Sequence, residues 1–179
     1  GSKGLSWTLD YETNSYTVTG YGACLDTEVT IPKTYNGLPV TAIGSTAFKN
    51  QSTITNIIIP RGIVSIGSSA FEGCKGISSI VIPEGVTGIS SGLFNNCKGL
   101  AEVILPEGIT SIDEYAFYSC SALSAIAIPS TVKSYGIYAF YLCSSLLSIT
   151  LPDGADSIPN YLFRNCYKLK EVNLPNSIK

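Results

Sequence analysis

The sequence predicts a β-rich solenoid in which one unit of 23 residues repeats along the chain, and three observations carry this prediction. The six phenylalanines follow one another at intervals of 23 residues: Phe48, Phe71, Phe94, Phe117, Phe140 and Phe163. A proline stands twelve residues after each of them, and three apolar rows keep fixed positions in between. A unit this small cannot bury its apolar side alone, so stacking of neighbouring units must create the core.

The apolar rows before each proline predict the first strand of the unit. Two of these rows lie two residues apart, as in Ile57 and Ile59, so both side chains point to one face of an extended segment. Proline lacks a backbone donor and closes the strand, here at Pro60. A glycine follows two residues later in four repeats, where we expect a positive φ: Gly62, Gly85, Gly108 and Gly154.

A second extended segment and a short turn complete the unit. Apolar pairs such as Ile63 and Ile66 predict the second strand. The phenylalanine then lies in the motif Ala-Phe-x-x-Cys, complete at Ala116 to Cys120. Positions three apart share one side of a helical or 3₁₀ turn, so the motif predicts such a turn. The predicted fold class is therefore α/β, but rich in β structure.

The chain divides into a cap and a repeat array. Residues 1–31 are predicted to form an N-terminal β-hairpin cap, because Leu5, Trp7 and Leu9 alternate with polar residues before a polar turn. Residues 32–179 are predicted to form the solenoid, with about six repeats and a truncated last unit. The first repeat carries five extra residues around Lys33–Val40, which predict a protruding loop.

Composition narrows the classes of function. Hydrophobic residues make up 45% of the chain, charged residues 13%, and the net charge is −2. A chain with this balance has no excess of basic residues of the kind that binds nucleic acid. No apolar run approaches the ~20 residues that span a bilayer, so no transmembrane segment is predicted. The chain has no histidine, which excludes catalysis by a Ser-His-Asp triad or a Cys-His pair.

Five cysteines lie in register and admit two interpretations: Cys74, Cys97, Cys120, Cys143 and Cys166. A metal or redox ladder is one of them, but zinc sites use closely spaced Cys or His pairs that this chain lacks. Stacked turns hold their Cβ vectors parallel, which disfavours disulfides. We therefore favour free thiols that pack in the core as small hydrophobes, and we predict neither metal nor cofactor.

Two glutamates raise the alternative of an enzyme. Glu84 and Glu107 occupy equivalent positions one repeat apart, with Glu102 nearby, and closely spaced carboxylates are the arrangement of a retaining glycosidase. Both residues follow a proline in a polar turn, where solvated carboxylates are ordinary. We therefore predict no catalytic residue and no enzymatic activity.

The repeat unit resembles the BspA-like leucine-rich repeats, also called the Treponema pallidum type. The likeness is clearest from Ile77 to Cys97 and from Leu100 to Cys120, and it covers roughly residues 32–178. It implies a right-handed solenoid with a concave parallel sheet. Members of this family are typically secreted or surface-anchored proteins of host-associated bacteria, and several take part in adhesion. The resemblance brings no catalytic residue, because the family motif contains none.

Two surfaces are candidate binding sites. The exposed side of the concave strands carries the first set of candidates: Asn56, Ile58, Ser79, Val81, Glu102 and Ile104. An exposed apolar stripe typically marks an interface, although β-propensity alone also explains β-branched residues in strands. The second set is aromatic, with an arginine beside it: Tyr115, Tyr118, Tyr138, Tyr141, Tyr161 and Arg164. Such residues are favoured at binding hot spots, although tyrosines also cover flanks with their hydroxyls in water.

These observations predict a non-enzymatic binding module, and the family resemblance implies that it acts outside the cell. The favoured function is recognition of a host or bacterial surface protein, as in adhesion. One alternative is glycan binding through the tyrosines, and another is a passive spacer.

Overall fold

The computed structural model describes residues 1–155 and 157–178. Within these residues the chain forms short strands joined by turns. The strands are β1 (Ser6–Asp10), β2 (Ser15–Gly20), β3 (Glu28–Thr30), β4 (Thr34–Tyr35), β5 (Leu38–Ile43), β6 (Asn56–Ile58), β7 (Ser65–Ile66), β8 (Ser79–Val81), β9 (Gly88–Ile89), β10 (Glu102–Ile104), β11 (Ser111–Ile112), β12 (Ser134–Tyr135), β13 (Ser148–Thr150) and β14 (Glu171–Asn173). None of the described segments is a helix long and apolar enough to cross a membrane.

The strands that precede the prolines form the concave face of the solenoid. They pair in parallel as β3 with β6, β8 with β10, and β13 with β14. Each residue lies opposite its equivalent in the next repeat, as Ile80 does with Val103. The intervening segment 125–127 does not form a strand. It contains two alanines, a residue type that is depleted in strands, which is one physical reason for this break.

A second set of parallel strands runs along the flank of the solenoid, in two sheets. In the first sheet β5 pairs with β7, and in the second β9, β11 and β12 pair in that order. The N-terminal hairpin of β1 and β2 joins the first of these sheets, because β2 pairs in parallel with β5. The extra residues of the first repeat are ordered as an antiparallel hairpin of β4 and β5. The division of the chain into a cap and a solenoid at residue 31 stays a prediction.

Stacked phenylalanines fill the centre of the solenoid. Phe48, Phe71, Phe94, Phe117 and Phe140 are fully buried. Neighbouring rings are stacked with their centroids between 5.3 and 5.8 Å apart. Each such pair contributes about 0.5–1.5 kcal/mol beyond the burial of its area. The periodic spacing in the sequence therefore corresponds to one continuous aromatic column.

The turn around each phenylalanine differs from the helical or 3₁₀ turn expected from the motif, since no helix occurs in the described residues. The residues two before and two after the phenylalanine have left-handed backbone, as Tyr115 (φ 57°) and Ser119 (φ 59°) do around Phe117. A right-handed helix cannot continue through such residues. The backbone N–H of Phe117 instead donates to the carbonyl of Ala139 in the next repeat, at 2.8 Å. Hydrogen bonds between repeats thus replace those of a helix.

The glycines after the prolines also differ from expectation. Gly154 has a positive φ of 104°, but Gly62, Gly85 and Gly108 do not. In each of these three turns the residue after the glycine donates its N–H to the proline carbonyl, as Ile63 does to Pro60 at 3.1 Å. A turn closed in this way is compatible with negative φ at both central residues. In these three repeats the left-handed positions lie around the phenylalanines instead.

Candidate binding surfaces

The concave face presents an apolar stripe to solvent. Ile58, Val81 and Ile104 are the last residues of β6, β8 and β10, and their side chains are 54%, 58% and 51% exposed. They alternate with buried residues such as Ile57 and Ile80, because successive side chains of a strand point to opposite faces. The equivalent positions in the following repeats carry smaller or polar residues: Ala127, Thr150 and Asn173.

A polar column runs beside this stripe. Asn56, Ser79 and Glu102 are exposed on the same face, and Glu102 lies directly opposite Ser79 in the ladder. The structure thus places all six concave candidates on one surface. Their role in binding stays a prediction.

The tyrosines of the last three repeats form two stacked columns on the turns around the phenylalanines. In the first column, Tyr138 lies between Tyr115 and Tyr161, with ring centroids 5.2 and 5.1 Å away. In the second column, Tyr118 and Tyr141 stack at 5.0 Å with an interplanar angle of 5°. The two columns also touch, since the Tyr115 and Tyr118 centroids are 5.6 Å apart and those of Tyr138 and Tyr141 are 5.4 Å apart.

Polar groups complete the C-terminal end of these columns. The Arg164 guanidinium continues the second column and lies 5.2 Å from the Tyr161 ring centroid, a cation–π arrangement. The Asn165 side-chain amide donates a hydrogen bond to the Tyr141 hydroxyl at 3.0 Å. We call the six side chains of both columns, the five tyrosines and Arg164, the tyrosine strip.

The three tyrosines of the first column have a left-handed backbone conformation. Tyr115, Tyr138 and Tyr161 have φ values of 57°, 59° and 63°, in the region that favours glycine or asparagine. A left-handed conformation costs a bulky residue about 1–2 kcal/mol. The three preceding repeats have the same left-handed backbone at this position, where they carry Thr46, Ser69 and Gly92. The conformation is therefore a property of the repeat turn.

The five cysteines that recur every 23 residues from Cys74 to Cys166, here called the register cysteines, have a structural role in the described fold. All six cysteines are free, and five of them are buried. Each register thiol donates to the phenylalanine carbonyl of the preceding repeat: Cys74 to Phe48, Cys97 to Phe71, Cys120 to Phe94, Cys143 to Phe117 and Cys166 to Phe140, at 3.0–3.1 Å. The cysteine row therefore links repeats by hydrogen bonds.

Burial of these thiols predicts low reactivity in the native state. Desolvation raises the pKa of Cys74 to about 12 and that of the half-buried Cys166 to about 11, so the reactive thiolate is scarce at pH 8. We expect iodoacetamide to modify Cys166 first and Cys74 more slowly, as followed by mass spectrometry. After denaturation in guanidinium chloride, all six thiols should react. Fewer than six reactive thiols in the denatured chain would contradict the free-thiol structure.

The two glutamates of the enzymatic alternative lie in exposed turns. Glu84 and Glu107 are both exposed, and Glu107 accepts a hydrogen bond from the Ser130 hydroxyl at 3.1 Å. Across residues 1–155 and 157–178, no group of three or more His, Cys, Asp and Glu side chains is arranged to hold a metal ion.

An aromatic cluster near the N-terminus is not apparent from the repeat pattern. Trp7 of β1 stacks on Tyr35 of β4 with centroids 4.4 Å apart, and Tyr16 of β2 packs edge-on against both rings. Its signal in the sequence is the extra stretch around Lys33–Val40, in which Tyr35 lies. The repeat pattern predicts a loop there and no contact with the hairpin.

Comparisons with known proteins agree with this architecture. A sequence profile of the BspA type leucine rich repeat region matches six copies, over residues 21–112 and 41–170. The chain belongs to this family. Its repeats are thus BspA-type repeats, as the phenylalanine and cysteine rows indicated. No curated protein matches the chain.

Two solved bacterial structures resemble the chain along nearly its whole length. A Treponema pallidum leucine-rich repeat protein is 28% identical with a TM-score of 0.90, covering 98% of this chain and 82% of that one. A leucine-rich repeat protein from Bacteroides ovatus is 29% identical with a TM-score of 0.80. The match covers 98% of this BspA-type chain but only 53% of the Bacteroides ovatus protein.

A third solved structure shares the fold at lower identity. It is a leucine rich cell surface protein from Faecalibacterium prausnitzii, 22% identical with a TM-score of 0.54. The match covers 99% of this chain and 70% of that one.

Proposed function

We propose that this BspA-type chain is a non-enzymatic module that recognises a protein partner outside a bacterial cell. The observation that carries the proposal is the stripe of Ile58, Val81 and Ile104, whose side chains are all more than half exposed. Contiguous exposed apolar side chains favour association, because a partner removes them from water. An adhesive role at the bacterial surface fits this chemistry and the family, and a passive spacer is the alternative.

The surroundings of the stripe favour a partner that is apolar at its centre and basic at its edge. Glu102 lies beside the stripe, and Glu84 and Glu107 are exposed in the turns that follow β8 and β10. Charges at the rim of an interface mainly set its specificity and association rate. The stripe itself would contribute most of the affinity.

The test replaces the stripe by threonine, the residue that the chain carries at position 150. Threonine is also β-branched and suits a strand, so the triple variant Ile58→Thr, Val81→Thr, Ile104→Thr should remain folded. Binding to a panel of purified extracellular matrix proteins would be measured by biolayer interferometry. We expect at least about tenfold weaker binding to any panel member that the unmodified chain binds, which corresponds to 1.4 kcal/mol.

Val64 provides a matched control, since it is 56% exposed but lies beside β7 on the flank. The variant Val64→Thr should bind as the unmodified chain does. Equal binding by the unmodified chain and the triple variant would contradict the proposal. Absence of binding to the entire panel would favour the passive spacer.

A further inference from the structure

We propose that the tyrosine strip is a second binding site and that its ligand is a linear oligosaccharide bearing carboxylates. This site is separate from the concave stripe, and its test does not depend on the protein-recognition function.

The fold does not require aromatic residues at the positions of the tyrosine strip. The first column is occupied in the three preceding repeats by small residues: Thr46, Ser69 and Gly92. The second column is occupied there by polar residues: Lys49, Glu72 and Asn95. All of these repeats share the same turn, with left-handed backbone two residues before the phenylalanine. Because the turn forms without aromatic residues, their presence in successive repeats points to a role other than forming the turn.

The size of the tyrosine strip favours a small linear ligand. Its first column advances by 5.2 and 5.1 Å from one repeat to the next, and the strip contains six side chains. A narrow row of regularly spaced groups is better matched to a chain of sugar units that runs along the solenoid.

The stacking of the rings determines which of their atoms a ligand can reach. Tyr138 has Tyr115 on one face and Tyr161 on the other, so its ring faces are closed. Solvent meets ring edges and hydroxyl groups instead. Recognition would rest on hydrogen bonds to the phenol row, since a tyrosine hydroxyl both donates and accepts. Sugar hydroxyls provide matching partners.

Two groups give the tyrosine strip a preference for acidic ligands. Arg164 is exposed, and within residues 1–155 and 157–178 no carboxylate forms a salt bridge with it. Because the Asn165 amide donates to the Tyr141 hydroxyl, that hydroxyl keeps its own proton for a ligand acceptor. Guanidinium and phenol donors together suit a carboxylate. Glu114, next to Tyr115 at the opposite end, orients the ligand's negative charge toward Arg164.

The test uses substitutions that the chain itself carries elsewhere. The variant Tyr138→Ser, Tyr141→Asn introduces the residues found at Ser69 and Asn95, so its turns should form normally. Isothermal titration calorimetry would measure binding of hexamers of galacturonate, mannuronate and hyaluronan, with cellohexaose as the neutral probe. We expect at least one acidic hexamer to bind, and the double variant to bind it at least about tenfold more weakly. Arg164→Gln should lower the preference for that hexamer over cellohexaose by about tenfold.

The concave triple threonine variant is the matched control, and it should bind the acidic hexamer as the unmodified chain does. A decamer of glutamate tests whether any carboxylate-rich polymer suffices. Four results would each overturn the proposal: no binding of the three acidic hexamers at millimolar concentration, equal binding of cellohexaose, binding of the glutamate decamer alone, or unchanged binding by the double variant. Because the double variant alters only the tyrosine strip, failure here leaves the protein-recognition function untouched.

Discussion

Replacement of Phe94 by alanine is expected to lower the free energy of unfolding by about 3–5 kcal/mol. Phe94 is fully buried and stacks on Phe71 at 5.8 Å and on Phe117 at 5.4 Å, so alanine opens a cavity in the aromatic column and removes two stacked pairs. Urea denaturation followed by circular dichroism would measure the loss. Each repeat contacts only its neighbours, so a defect in the middle weakens the coupling between the two halves of the solenoid. The halves should then unfold in two separate transitions.

Phe163 provides a matched control for this prediction. It is half-buried and stacks on Phe140 at 5.9 Å, at the C-terminal end of the described phenylalanine column. Phe163→Ala should therefore cost less than half as much as Phe94→Ala, and it should leave a single transition. Equal losses of unfolding free energy at both positions would show that burial and stacking within the phenylalanine column do not determine the effect.

The phenylalanine column could be predicted from the sequence for a simple physical reason. A stacked unit buries the same position in every repeat, so burial appears as identical spacing of Phe71, Phe94 and Phe117. The concave stripe follows from the same logic, because the residue between two buried strand positions must face outward. Repetition therefore reveals which side chains face inward and which face solvent.

Backbone conformation could not be predicted in the same way. Tyr115 and Tyr138 have a positive φ, which tyrosine ordinarily avoids, so their residue type does not predict this conformation. Hydrogen bonds to the next repeat hold the turn in that conformation, and such contacts between repeats are invisible in a single unit. The stack of Trp7 on Tyr35 escaped for a related reason, since it joins segments that are distant in the sequence.

Tyr135 shows a further limit of periodicity. It occupies the core row held by Ile66, Ile89 and Ile112, and it is buried although its residue type suits a surface. Its hydroxyl has no hydrogen-bond partner among the described residues, and desolvation raises its pKa to about 12. Position in the repeat, rather than residue type, thus decides the orientation of this tyrosine. The five tyrosines of the strip occupy different repeat positions and remain accessible.

The second large effect is expected at Gly136, between Tyr135 and the first column of the tyrosine strip. A Cβ atom at Gly136 would lie 2.5 Å from the Glu114 Cα and closer still to the Glu114 nitrogen and the Asp113 carbonyl carbon. These are backbone atoms of the preceding repeat, which cannot rotate away as a side chain would. Gly136→Ala should therefore lower the free energy of unfolding by about 3 kcal/mol, as measured by urea denaturation.

Gly108→Ala separates this steric effect from the general effect of replacing glycine. The Cβ at Gly108 would meet the Glu84 carbonyl oxygen at 3.5 Å, an ordinary contact, and neither glycine has a positive φ. Alanine at Gly108 should leave stability unchanged or raise it by up to about 1 kcal/mol, because it restricts the unfolded chain. A similar loss at both glycines would mean that close backbone approach is not the cause.

The same substitution links stacking of repeats to the proposed ligand site. Relief of the clash at Gly136 requires its repeat to move away from Asp113 and Glu114, which directly precede Tyr115. That movement would widen the 5.2 Å step between the Tyr115 and Tyr138 rings. Gly136→Ala should thus weaken binding of the acidic hexamer under conditions where the protein remains folded, while Gly108→Ala should not. Unchanged hexamer binding by folded Gly136→Ala would show that recognition does not depend on the spacing of the tyrosine strip.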